Sequence, residues 1–398
     1  MRTMKHGNDG RAWWVYAAGG LLALTLTHPA SEPYELHVLD GLAGRSGKAL
    51  AINAADQVLI EANSADGQKC ALLWSAQGGL LELGTLGGPS SRAIAINDLG
   101  QVIGGSFTAQ EEWHAFLWCP ETGMRDLGTC GGEGSQAWAL NNCGAVLGQS
   151  TAVGRQARAF RWSEALGIKQ IGDLGGGVSL GIALNDAGGV AGISVDHGGF
   201  LRAFYCGGKG RLTGICPEGQ WSAAYALNAE GKVAGRYLRE GGGVQVFSWT
   251  EREGLREVEQ AGALSAMPKA ICNQGQIVGA IEFHPDEWRA CLWDTSGKLV
   301  LPPHMEGVAH STATGINDQG IVIGQAKLKT GEQRSFVWSI GAGLSWLPTA
   351  SDGSNNTATA INAKGTIAGH VGSPPKTQPC IWRRPVNKAE AVDSLVTR

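Results

Sequence analysis

A motif of about 44 residues is written eight times along this chain, and that recurrence limits the available folds more than any other feature. Its clearest copy, residues 91–132, reads SRAIAINDLGQVIGGSFTAQEEWHAFLWCPETGMRDLGTCGG. Aligned on the Asn of the first turn, the copies fall at Asn53, Asn97, Asn141, Asn185, Asn228, Cys272, Asn317 and Asn362. The steps between them are 44, 44, 44, 43, 44, 45 and 45 residues. So even a period describes one small unit that buries its apolar faces by stacking against copies of itself.

The order within a unit is that of a β-meander. Just before the turn, small residues (Ala51, Ala95, Ala139, Ala183, Ala226, Ala270, Gly315, Ala360) alternate with branched or aliphatic ones (Ile52, Ile96, Leu140, Leu184, Leu227, Ile271, Ile316, Ile361). Period-two alternation defines a strand, and a small face in every copy crowds eight such strands around one axis. Asn followed three residues later by Gly suits a tight hairpin: Asn bonds its own backbone and Gly takes positive φ. Unit 1 has Asp56 at the Gly position, and unit 6 has Cys272 at the Asn position. A second strand follows (Val58, Val102, Val146, Val190, Val233, Ile277, Val322, Ile367). Two residues on stands Gly in every unit but the first, which has Ile60. Gly inside a strand marks a bulge or a close backbone approach. The third strand ends in Trp74, Trp118, Trp162, Trp249, Trp293, Trp338 and Trp382, with Cys206 in unit 4. A Trp in nearly every unit reads as packing between units.

Four short strands per repeat is one propeller blade, so the expected fold is all-β: an eight-bladed β-propeller over 34–398. An open solenoid would need polar caps at both ends. Residues 39–44 (LDGLAG) match 83–88 (LGTLGG) and lie the same distance before their Asn, making 34–39 an outer strand with no preceding three. The expectation is that it closes the last blade, with 391–396 (AVDSLV) as the rival for that place.

Residues 1–30 are different in kind. Arg2, Lys5 and Arg11 precede the short apolar run at 12–26, with Ala30 beyond it, which reads as a secretory signal or else an uncleaved anchor. The protein is therefore expected to be exported, periplasmic or extracellular, and to act as a monomer. A net charge of −3 argues against a broadly basic nucleic-acid surface.

The combination A-x-A-I-N-x-x-G-x-V-x-G, then His114-Ala115-Phe116-Leu117-Trp118, then D-L-G-T-x-G-G resembles the bacterial HAF repeat family. His-Ala-Phe itself occurs once. Other copies read Arg158-Ala159-Phe160, Arg202-Ala203-Phe204, Arg289-Ala290-Cys291 and Arg334-Ser335-Phe336. The resemblance covers about 34–382 and implies an extracellular, propeller-like protein; it carries no catalytic residue with it.

No motif for chemistry stands out. The nine cysteines are odd in number, lack CxxC spacing and sit at different places in the repeat, so most read as small buried hydrophobes. No His spacing suits a metal, and neither a P-loop nor a nucleophile elbow is present. No metal, cofactor or catalytic residue is expected. Function should sit where the copies differ. The loops between second and third strands supply Glu112, Trp113, Asp196, His197, His284, Asp286 and Trp288, and the segments entering the inner strands supply Arg92, Trp138 and Tyr225. Both sets belong to one face of a propeller. Aromatics beside carboxylates and Arg suit a glycan or an envelope or extracellular protein, bound without catalysis. The alternative is a carbohydrate-active hydrolase or lyase with carboxylates drawn from Glu111, Glu112, Asp196, Asp286 and Glu287.

Overall fold

The computed structural model describes residues 33–63, 67–152, 157–208, 210–350, 353 and 355–385, together with the backbone of two short strands, Val15–Ala17 and Gly20–Leu22. The chain divides into Met1–Pro33 and Tyr34–Arg398. In the first unit the two short strands pair antiparallel; otherwise the expected export segment at 1–30 lies outside the described residues. Among the described residues, no helix is long and apolar enough to cross a membrane.

The second unit is a ring of eight four-stranded antiparallel sheets. Blade 2 is representative: Gly87–Ile96, Val102–Thr108, Trp113–Cys119 and Gly123–Asp126 hydrogen-bond in that order from the axis outward. Each inner strand packs against the inner strands of both neighbours, and that of blade 8 (Asn356–Ile361) packs against that of blade 1 (Gly47–Ile52), which closes the circle. The closing strand is N-terminal, as expected. Glu35–Val38 pairs with Gln378–Arg383 in the register Leu36↔Trp382, completing blade 8. The rival segment at 391–396 lies outside the described residues.

The ring has not one core but a series of interfaces. Leu59, Ala71, Leu73 and Leu83 of blade 1 pack on Ala93, Val102, Phe116 and Trp118 of blade 2, and equivalent clusters lie between the other neighbours. Trp is the packing residue expected of it: Trp293 and Trp382 are fully buried and donate their indole N–H to Glu259 O (2.7 Å) and Pro348 O (2.9 Å) in the preceding blade. The nine cysteines are free. Cys206 fills the Trp slot in the core between blades 3 and 4. Cys291 and Cys380 fill the Phe slot, where burial pushes their thiols up.

The Asn of each turn does more than the sequence reading assigned to it. Asn97 Oδ1 accepts the N–H of Leu99 (3.1 Å) and Gln101 (2.9 Å), which is the expected turn chemistry. Its Nδ2 also donates to Asn141 O in the next blade at 3.0 Å. The same donation runs from Asn53, Asn141, Asn185, Asn228, Asn317 and finally Asn362, which reaches Asn53 O at 2.9 Å across the closure. An amide is required because Asp would keep the acceptor and lose the donor. The belt lacks a link only at Cys272, whose Sγ lies 3.8 Å from Gln276 Oε1.

The second-strand Gly has an equally direct cause. Inner and second strands slip register at the same place near the turn in every blade; in blade 2 Ala93 faces Gly104 and Ala95 faces Ile103, leaving Ile94 bulged. The slip brings Arg92 O so close that a Cβ on Gly104 would lie 2.0 Å from it. Both readings of that Gly, bulge and close approach, hold at once.

Candidate functional site at the loop-bearing end of the ring

Antiparallel order puts the Asn turns at one end of the ring. The second-to-third loops and the outer-to-inner connections lie at the other, since Gly87 at the start of an inner strand pairs with Thr108 at the end of the second. Between the two ends, on the two innermost strands, the repeat supplies two variable positions. One is the bulged residue of the inner strand: Leu50, Ile94, Trp138, Ile182, Tyr225, Lys269, Thr314 and Thr359. A bulge frees its residue from the ladder, so the side chain there can vary without disturbing the blade. The other lies on the second strand, eight residues after the Asn: Glu61, Gly105, Gln149, Ile193, Arg236, Ala280, Gln325 and His370.

The polar and aromatic members of these sets meet across blades. Glu61 takes Lys69 Nζ at 3.0 Å and, from the neighbouring blade, Arg92 Nε at 3.0 Å. Trp113 folds over Gly105, meets Phe107 edge-on at 4.9 Å, and donates Nε1 to Gln136 of blade 3 at 2.7 Å. In blade 5, Arg236 Nε donates to Tyr225 Oη at 2.9 Å, and its guanidinium lies 5.4 Å from the Tyr225 ring and 5.3 Å from Trp221. That geometry is a cation held between two aromatic faces. Trp138 stands at the same bulge position two blades away and is 41% exposed, the largest apolar side chain so placed.

The ten residues singled out by sequence fall into three groups. Arg92, Trp138 and Tyr225 stand on inner strands near the axis. Trp113 and Asp196 have structural contacts of their own. Asp196 is buried, and its carboxylate accepts N–H from Gly198 (2.9 Å), Phe200 (3.0 Å) and Gly219 (3.3 Å), bonds that hold it below the usual carboxylate range, the Phe200 bond most of all. Glu112, His197 and Asp286 stand in the connections themselves, whereas His284 and Trp288, expected in a loop, lie at the ends of the strands Ile277–His284 and Glu287–Trp293, because the hairpin between them is only two residues long. Glu112 lies 3.6 Å from His114, and His197 covers Gly175. Asp286 takes positive φ (62°) with its N–H on Glu282 Oε1 at 2.8 Å. Trp288 lines a hollow of about 60 Å³ with Pro302, Pro303 and Met305. Among the described residues, no two of the ten share a hydrogen bond or ion pair. The five candidate carboxylates for hydrolysis belong to blades 2, 4 and 6, and no ion pair or hydrogen bond joins those blades' carboxylates to one another.

Sequence reasoning missed Arg236, Gln136 and Glu61 because it looked for function in loops, and these stand on strands. For Glu61 and Arg236 a signal was present: the position eight after the Asn changes in nearly every unit. The His of His-Ala-Phe also finds a role. His114 Nδ1 lies 2.8 Å from Asp126 on the outer strand of its own blade, and Arg158 pairs with Asp173. An N–H group facing a carboxylate, from Arg or His, is what the slot uses in these two blades.

No protein-family model matches the chain, and no curated protein matches it in sequence. Solved structures do match in fold. The β-propeller domain of the trilobed protease from Pyrococcus furiosus is similar, with a TM-score of 0.53 at 11% identity over 77% of this chain and 99% of that one. A prolyl endopeptidase gives 0.57 at 11% identity over 82% of this chain, and a puromycin-hydrolysing peptidase of Mycobacterium tuberculosis gives 0.50 at 14% over 86%. The chain spans 54% and 62% of those two peptidases. At such identities the likeness is one of fold. The protein is an eight-bladed β-propeller.

Proposed function

We propose that the protein is an exported, non-catalytic binding module whose loop-bearing end receives a glycan or a protein of the envelope or extracellular space. The observation that carries this reading is the Trp221–Arg236–Tyr225 stack beside the axis, with exposed Trp138 on the same ring of bulges. Aromatic faces with fixed polar partners offer an apolar plane and directional hydrogen bonds together, the combination that binding sites for amphipathic rings require. The resemblance to HAF repeats and the character of residues 1–30 support placing the protein outside the cytoplasm. The test is a glycan and envelope-protein binding screen on the chain lacking residues 1–30. Trp138→Ala and Arg236→Gln are each expected to weaken the ligand found by at least about tenfold with the melting temperature little changed. A ligand whose affinity survives both substitutions removes the proposal, as does a screen with no binder.

A further inference from the structure

Away from the axis, between blades 4 and 5, lies a cleft of about 690 Å³ floored by Ile215, Pro217, Leu255 and the Tyr237 ring. The repeat explains why it is open. In blades 1 to 3 the chain leaves the outer strand through Leu83-Gly84, Leu127-Gly128 and Ile171-Gly172, with positive φ at each Gly (81°, 75° and 91°). Ile215 holds the matching place in blade 4, its N–H on Ala203 O as Leu127 N–H is on Ala115 O. Cys216 and Pro217 follow instead of Gly. Cys216 does not take positive φ, so the connection departs along another path and leaves the space beside blade 5 unfilled.

The same comparison exposes a missing charge. The basic residue of this slot meets the residue twelve positions later in blades 2 and 7, and in blade 3 Arg158 meets Asp173 instead. His114 meets Asp126 at 2.8 Å, and Arg334 lies 5.1 Å from the ring of Trp346. In blade 4 that pair is Arg202 and Gly214, and the guanidinium lies over the glycine, where a Cβ would come within 2.5 Å of Cζ. Arg202 Nε donates to Cys216 O; its nearest carboxylate is Glu218 at 3.5 Å, on a side chain 77% exposed. Arg202 itself is 14% exposed and lines the cleft. The neighbouring Glu257 is already neutralised, by Arg239 and by the Tyr237 hydroxyl, and the Arg239 bonds hold its carboxyl below the usual range. It therefore leaves Arg202 as the cation of the cleft.

We infer that this cleft is a second ligand site, separate from the loop-bearing mouth, for a small carboxylate with an apolar or aromatic body. The carboxylate takes the part that Asp126 plays in blade 2 and Asp173 in blade 3, engaging the planar donors of Arg202, while the body covers Ile215, Pro217 and Leu255. The low exposure of Arg202 strengthens such a pair relative to one in open solvent.

The probe is 3-phenylpropionate, titrated calorimetrically into the purified protein, with 3-phenylpropanol as its uncharged counterpart. The acid is expected to bind with a Kd of about 1 mM or tighter and the alcohol at least about tenfold more weakly. Arg202→Gln should weaken the acid by a similar factor. Because Arg202 also supports the Cys216 carbonyl, Gly214→Asp is the second variant: it gives Arg202 the carboxylate that His114 has in Asp126, and should leave the fold intact while expelling the probe. Equal binding of acid and alcohol overturns the site. So does retention of the acid in either variant, or no heat from the acid at concentrations up to about 20 mM.

Discussion

At the Asn-turn end of the ring, seven blades make the same contact with the same residue: an Asn amide reaching the carbonyl of the equivalent residue in the next blade, Asn in six cases and Cys272 in one, at 2.9–3.2 Å. Farther along the blades, the positions eight after the Asn hold Glu61, Gly105, Gln149, Ile193, Arg236, Ala280, Gln325 and His370, and the contacts at or beside them differ from place to place: an ion pair, a Trp–Gln bond, a cation–aromatic stack. The difference teaches how a ring of near-identical blades divides its work. Uniform turns fix spacing and curvature, because any change there is felt at both interfaces of a blade. Bulges in the inner strands uncouple side-chain identity from blade construction, so diversity there costs little stability.

The sharpest way to break this contrast is Asn141→Ala. It removes two N–H acceptors within the turn (Cys143 at 3.1 Å, Ala145 at 2.8 Å) and the donation to Asn185 O, all at a buried site. Urea unfolding should show a loss of about 3 kcal/mol. Asn141→Asp keeps the acceptors, so the part of that loss it reproduces belongs to the bond between blades.

A smaller effect should come from His370, on the second strand of blade 8 beside blade 1. Burial, with Lys48 adding to it, pushes its imidazole down to about 4, and its Nδ1 has no hydrogen-bond partner. The unfolded chain therefore binds a proton near pH 6.5 that the folded chain refuses until about pH 4. Stability contributed by the neutral ring should fall as pH drops through that window, by about 1–2 kcal/mol after allowing for partial exposure. Unfolding free energies measured across the window should flatten in His370→Gln, and a slope unchanged in that variant would place the acid sensitivity elsewhere.

Cys272→Asn repairs the one open link. Gln276 already stands where Gln57 and Gln101 receive the Asn amide at 2.8 and 2.7 Å, and Asn317 O is the acceptor in line. A gain of about 1 kcal/mol in urea unfolding is expected; a loss would show that blade 6 has repacked around sulfur. The smallest expected change in stability is that of Trp138→Ala, under about 1 kcal/mol by the same measurement, since the side chain is exposed and, among the described residues, has no partner blade packed over it in the core clusters. A larger drop would mean that the bulge positions are as much a part of the frame as the turns.

Much of this was legible in the chain itself. The Trp of each third strand, the Gly of each second strand and the closing role of Glu35–Val38 were all read from spacing, and each has the place expected of it. Half of the Asn story was legible as well. Its bond to its own turn is local, whereas its bond to the next blade joins residues 43 to 45 apart, and in Asn362 to Asn53 it joins residues 309 apart. The candidate site was less legible. Loop residues such as Asp196 and Trp113 looked available for binding, yet Asp196 is tied into its own turn and Trp113 into blade 3.

By itself, then, the sequence determined blade number, strand order and closure, because each depends on short-range alternation copied at a fixed period, and a pattern repeated eight times is hard to misread. Tertiary structure alone decided which carbonyl each Asn amide meets, which side chains the bulges bring beside the axis, and that Gly214 and Cys216 open a cleft beside Arg202. Those outcomes depend on distances between blades, set only when the ring closes and every interface takes up the same curvature.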